Sequence, residues 1–114
     1  MENWQTVCRL EDIAPNMGGC VLVDGDQIAI FRCTRSQSLY GVSNYDPIGH
    51  ANILSRGIIG SIEEQPYVAS PLYKQHFNLL TGQCLEEPEI TIETHQVREH
   101  KGFVQVLVKH ALAA

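Results

Sequence analysis

No stretch of this chain sustains helical periodicity for three turns, whereas short runs of β-branched, aromatic and alternating residues recur between turn formers. That pattern restricts the fold class to all-β, a sandwich or barrel of short strands. Trp4, Thr6, Cys8 and Leu10 alternate with Gln5, Val7 and Arg9, as in a half-buried strand, and Glu11 to Pro15 break the run. Met17-Gly18-Gly19 reads as a turn. Two apolar runs follow, Cys20 to Val23 and Gln27 to Phe31, joined by Asp24-Gly25-Asp26, whose Asp-Gly step supplies the positive φ of a tight hairpin. Leu39 to Ser43 and Tyr67 to Ser70 read as further strands. Between them, Gly49 to Gly60 has no clean period and predicts an ordered, irregular connection with room for one helical turn. Gln75 to Asn78 and a Leu80-Thr81-Gly82 turn come next. Glu89 to Thr94 sets Ile90 and Ile92 against polar neighbours, as a strand would. Phe103 to Val108 is apolar on most of both faces, which marks a central or covered strand.

A chain of 114 residues is long enough for one two-layer core and too short for two independent domains. One domain over residues 1–108 is expected, with an Ala-rich tail at 109–114. Thirteen acidic against eight basic side chains give a net charge of -5, with no basic cluster to oppose it. Such a field repels a phosphate backbone, so nucleic acid is not the expected partner. Met1-Glu2-Asn3-Trp4-Gln5 has neither a basic nor an apolar export region, and no apolar run approaches the ~20 residues that cross a bilayer. The expectation is a cytoplasmic protein without a membrane partner. Cys8, Cys20, Cys33 and Cys84 form no Cys-x-x-Cys pair, which disfavours a zinc or thioredoxin-type site. They are expected to remain thiols, with Cys20 and Cys33 as small core side chains.

Motifs of self-contained catalysis are missing. There is no Gly-x-Ser-x-Gly elbow, and Ser55 has no recognisable base partner. Met17-Gly18-Gly19 fits neither glycine-rich phosphate-binding pattern. His50 and His76 could be grouped with Asp46 into a metal set, but hydrogen-bonded surface positions suit them better. His95, His100 and His110 lack the i, i+4 spacing of a helical ligand pair and receive no chemistry.

A set of ordered segments carries a family likeness. They are Trp4…Val7-Cys8…Leu10…Asp12-Ile13, Ile28-Ala29-Ile30-Phe31-Arg32, Ser43-Asn44-Tyr45-Asp46-Pro47, Leu54-Ser55-Arg56-Gly57-Ile58-Ile59-Gly60, the run from Val68 to Leu79, and Thr81-Gly82-Gln83-Cys84. Together they resemble the small subunits of bacterial NADH-dependent nitrite reductases. The resemblance implies a Rieske-like β-sandwich or barrel with an inserted two-loop subdomain, residues 44–82, that corresponds to a cluster-binding region. A Rieske [2Fe–2S] centre takes two thiolates and two imidazoles, supplied as Cys-x-His on one loop and Cys-x-x-His on the other. Matching the Pro and the Phe…Thr-Gly landmarks puts Asp46 and Ser70 at the Cys positions, with Ile48 and Tyr73 at the His positions. No cluster ligand is then expected in this chain.

A carboxylate, hydroxyls and an alkyl group also make a poor set for another metal, because hydroxyls bind weakly at neutral pH and hard cations want six or more oxygens. Asp46 is instead expected to accept backbone N–H groups, Tyr73 to pack its ring, and Ile48 to fill the vacated volume. Arg56 and Lys74, one on each loop, either contact an acidic partner or remain solvated charges over packed stems. The family likeness further implies a large partner subunit carrying FAD, an iron–sulfur cluster and sirohaem, which reduces nitrite to ammonia with NADH in nitrate or nitrite assimilation. This chain is then an accessory subunit with no cofactor and no catalytic residue of its own, an enzyme only as part of the complex. Two other readings stay open: a Rieske-type ferredoxin-like electron carrier, and a cluster-free binding module for another redox enzyme.

Overall fold

The computed structural model describes residues 3–72 and 74–108. Its strands are β1 (Trp4–Arg9), β2 (Gly18–Val23), β3 (Asp26–Cys33), β4 (Ser38–Ser43), β5 (Tyr45–Asp46), β6 (Ala51–Asn52), β7 (Ile58–Ile62), β8 (Gln65–Ala69), β9 (His76–Asn78), β10 (Thr94–His95), β11 (Val97–His100) and β12 (Phe103–Leu107). Three antiparallel sheets form, with orders β1-β12-β11, β10-β4-β3-β2 and β7-β8-β9, and β5 and β6 make a small separate ribbon. The only helical elements among the described residues are two 3-10 turns, Leu10–Asp12 and Leu54–Arg56. The all-β expectation holds.

β3 explains the layering. Ile28-Ala29-Ile30-Phe31 is a continuous apolar run, and a strand must be covered on both faces to bury one. Ile28 and Ile30 face one core, with Ile13, Val23, Val104 and Val106. Ala29 and Phe31 face the other, with Val42, Leu54, Val68, Phe77, Leu79, Cys84 and Ile92. The first core joins the central sheet to the sheet of the chain ends, and the second joins it to the sheet that carries the loops. Ile28, Ala29, Ile30 and Phe31 are each 2% exposed or less. Burying an Ile or Phe side chain contributes about 2 kcal/mol, so this one strand supports both layers.

The β2–β3 hairpin is as the sequence implies: Val23 pairs with Asp26, and Asp24 and Gly25 bridge them at φ 50° and 85°. β12 is indeed the central strand of its sheet. Several expectations need correction. The alternation of β1 breaks at a bulge between Thr6 and Cys8, which turns Val7 and Cys8 toward the same core. Gly18 and Gly19 begin β2 instead of forming a turn, because a Cβ on Gly18 would collide with the Ser55 carbonyl and the Phe31 ring. Cys20 is exposed and Cys33 only half-buried; Val21 and Val23 take the inward positions of β2, and the core thiol is Cys84.

The Gly49 to Gly60 segment has the expected helical turn, at Leu54–Arg56, but β6 and the start of β7 lie on either side of it. Over Glu89 to Thr94 only Thr94 enters a strand. Ile90 and Ile92 do point inward, but the segment spends its backbone on the neighbouring turn, with Cys84 N–H donating to the Ile90 carbonyl and Ile92 N–H to the Gly82 carbonyl. β11 was hidden by its polar sequence. As an edge strand it turns only Val97 toward a core, and its turn signal is Lys101-Gly102, both at positive φ. The tail at 109–114 lies outside the described residues.

Gly82 (φ 80°) and Gly25 (φ 85°) share a backbone conformation but not an environment: a Cβ on Gly82 would strike the Ile92 carbonyl, and one on Gly25 would meet open space. Gly25→Ala is therefore expected to lower unfolding free energy by about 1 kcal/mol and Gly82→Ala by about 3 kcal/mol or more. Urea unfolding of the two variants side by side checks this; equal losses would show that the Gly82–Ile92 approach is not tight.

Candidate functional site

Asn44, 2% exposed, anchors the first loop where β4 ends. Its N–H donates to the Gln27 carbonyl at 3.0 Å, its carbonyl accepts Leu54 N–H at 3.0 Å, and its Oδ1 accepts Ser55 N–H at 2.7 Å. The amide Nδ2 donates to Gln27 Oε1 at 2.9 Å. One buried side chain thus ties the loop to β3 and to the 3-10 turn. Its importance was missed in the sequence, where an Asn after a strand signals only a turn.

Asp46 follows and is completely buried. Oδ1 accepts Ile48 N–H at 2.8 Å and Gly49 N–H at 3.0 Å, while its own carbonyl accepts His50 N–H at 2.7 Å. This is the short-range fold-back that Asp side chains favour in turns. Oδ2 accepts the Ser70 hydroxyl at 2.5 Å, across to the second loop. Ser70, 1% exposed, also binds that loop through its backbone: Ser70 N–H donates to the Gln75 carbonyl and Lys74 N–H to the Ser70 carbonyl. Leu72 N–H reaches Ser70 Oγ at 3.3 Å. Gly49 brings the first loop against the second: a Cβ there would lie 2.7 Å from Leu72 Cδ1 and 3.1 Å from Asp46 Oδ2.

The sequence-derived site residues therefore meet only in part. Asp46 and Ser70 are joined directly, and Ile48 packs against the core that contains Phe31 and Phe77. Tyr73 lies outside the described residues. Arg56, at the end of its 3-10 turn, and Lys74, at φ 61°, are exposed and form no ion pair among the described residues. His50 is exposed, with Nδ1 3.2 Å from the Tyr45 hydroxyl. No group of three His, Cys, Asp or Glu side chains among the described residues is spaced to hold a metal ion.

His76 and Glu86 make a second contact that sequence reasoning did not find, since ten residues separate them without a local motif. Glu86 accepts His76 N–H at 2.8 Å and lies 2.6 Å from ring Nδ1, and the ring stands edge-on to Tyr67. Partial burial works against the Glu86 carboxylate, but the hydrogen bonds from the His76 backbone and ring outweigh it and hold its pKa below the usual value. Burial pushes the neighbouring Cys84 thiol up, so it stays protonated at neutral pH. The pair fastens β9 to the chain after the second loop.

Chemically, a buried carboxylate and hydroxyl bonded to each other, beside an alkyl side chain, do not fit a [2Fe–2S] cluster, which needs thiolates and imidazoles. The arrangement closes two loops, and Asp46, Ile48 and Ser70 supply neither a thiolate nor an imidazole.

Comparison with known proteins places this architecture. Residues 3–107 match the Rieske-like [2Fe-2S] domain family. The chain is 41% identical over 106 residues to the nitrite reductase (NADH) small subunit of Salmonella typhimurium, covering 93% of this chain and 98% of that one. The solution structure of the nitrite reductase [NAD(P)H] small subunit from Erwinia carotovora superimposes with a TM-score of 0.79 at 41% identity, over 97% of this chain and 85% of that one. A stretch making up 11% of the nitrite reductase [NAD(P)H] large subunit of Klebsiella oxytoca is 34% identical over 96% of this chain. Fold, length and sequence agree, and this chain belongs to the Rieske-like domain family and, within it, to the small subunits of NADH-dependent nitrite reductase.

Proposed function

We propose that this chain is a cluster-free accessory subunit of a cytoplasmic NADH-dependent nitrite reductase. It binds a large subunit that carries FAD, an iron–sulfur cluster and sirohaem and reduces nitrite to ammonia during nitrate or nitrite assimilation. The observation that carries this reading is the buried Asp46–Ser70 hydrogen bond, which holds the two loops together at the positions where the family resemblance puts the thiolate ligands. Six-electron reduction needs redox cofactors, and side chains of this kind cannot replace them. Four unpaired thiols suit a reducing compartment.

On this reading the loops persist as a docking surface. Tyr45 and Leu72 expose apolar area there, and Arg56 and Lys74 add positive charge to a chain whose net charge is -5. Interfaces characteristically join an apolar patch to a charged rim. The second reading, an iron–sulfur electron carrier, is favoured by the family description alone.

Three measurements test these statements. Purified under anaerobic conditions, the chain is expected to show no visible absorbance of a [2Fe–2S] centre; two irons per chain would establish the electron-carrier reading in place of ours. Asp46→Ala, which strands the Ser70 hydroxyl and two N–H groups, is expected to cost about 3 kcal/mol in urea unfolding, with Asp46→Asn costing about 1 kcal/mol. A loss near zero for Asp46→Ala would mean that the carboxylate does not hold the loops. Charge reversal, Arg56→Glu or Lys74→Glu, is expected to weaken binding of the large subunit roughly tenfold at low salt and less at high salt. If both variants bind as the unaltered chain does, the loops are not the docking surface.

A further inference from the structure

In the Klebsiella oxytoca chain, a unit similar to this one occupies 11% of a single polypeptide, so each copy of the unit comes with one copy of the remainder. A covalent link fixes that ratio and gives the unit a high effective concentration at its neighbour. The similarity extends over 96% of this chain, so the linked unit corresponds to the β domain with both of its cores.

Topology determines where a link can leave. β1 and β12 pair with Trp4 opposite Leu107, and Val108 N–H donates to the Asn3 carbonyl at 2.8 Å. Both ends of the domain therefore emerge side by side. Trp4 lines a groove with Ser38, Leu39, Tyr40 and Gly41 of β4 and with Leu79, whose N–H donates to the Pro66 carbonyl near the start of β8. From this pole β4 and β8, of 6 and 5 residues, each run roughly 17–20 Å toward Asn44 and Ser70. The ends of the domain thus lie beside the first part of β4, and the paired loops lie beyond the far ends of β4 and β8. A link at the first pole leaves the exposed Tyr45, Leu72, Arg56 and Lys74 of the second unobstructed.

Resting on the function proposed above, we infer that this chain binds one large subunit per copy, in the place its counterpart holds in the fused relative. The loop pole lies against the large subunit and both chain ends point away from it. Native mass spectrometry of the complex, made by co-expressing the full chain with its large subunit, is expected to give equal numbers of the two. An unequal ratio overturns this inference and leaves the proposed function standing; absence of any complex removes both.

Two fusions test the arrangement. A single polypeptide joins the large subunit to the N-terminus of this chain through about 30 Gly/Ser residues, whose r.m.s. span of about 30 Å approaches the 36 Å long axis of the domain. It is expected to reduce nitrite within about twofold of the two-chain complex and to take up no added free chain, because the tethered copy holds the site. Uptake of a further equivalent overturns the one-to-one inference. A fluorescent protein fused at the N-terminus of the separate chain is expected to change the Kd by less than about twofold. Weakening beyond about tenfold would put the chain ends in the interface and overturn the orientation.

Discussion

Everything in this molecule depends on β3 being covered twice. A strand with isoleucines on one face and Ala29 and Phe31 on the other has no stable place at a surface, so the chain must supply a lid on each side. One lid comes from the sheet containing β1 and β12, the other from residues 44 to 92, which follow β4. The two lids share little besides β3 and its neighbours. That division lets the loop-bearing side change its chemistry while the side of the chain ends keeps its packing.

Within the loop-bearing side, the Asp46–Ser70 bond does by hydrogen bonding what a bridging cluster does by coordination. Both connect two loops across a gap and satisfy the polar groups buried there. The difference lies in what each can do next. Coordinated iron can change oxidation state, whereas a carboxylate accepting a hydroxyl and two backbone N–H groups fixes the geometry of the loops. A fixed loop shape lowers the conformational cost of association, and this is the physical use that the docking role proposed above gives the two loops.

Much of the fold was legible because local signals and tertiary need coincide. Asp24-Gly25 fixes its hairpin by positive φ, and Gln27 to Phe31 is legible as an apolar strand, although its burial on both faces comes from the tertiary packing. The errors fall where tertiary contact decides. Gly18 looks like a turn former until Phe31 and Ser55 crowd it, and Cys20 looks like a core residue until the inward positions of β2 are taken by Val21 and Val23. β11 is polar because it is an edge, and edges have little apolar patterning to read. In the site, the turn chemistry of Asp46 was legible, since an Asp contacts residues two and three further on. Its bond to Ser70, the multiple roles of Asn44 and the His76–Glu86 contact join residues 10 to 24 positions apart, and no local pattern encodes them.

The pairing of the first strand with the last has a consequence for how the protein is made. Val104 and Val106 supply the centre of the core shared with Ile28 and Ile30, and both arrive on β12. Until β12 has been made, β1 has no strand partner and Ile28 and Ile30 lack the two valines that complete their core. The loop-bearing side, built from residues 28 to 92, can assemble earlier. Closure of the core around Ile28 and Ile30 therefore waits for the last strand of the sheet, and a chain cut short before β12 would leave the isoleucine face of β3 incompletely covered.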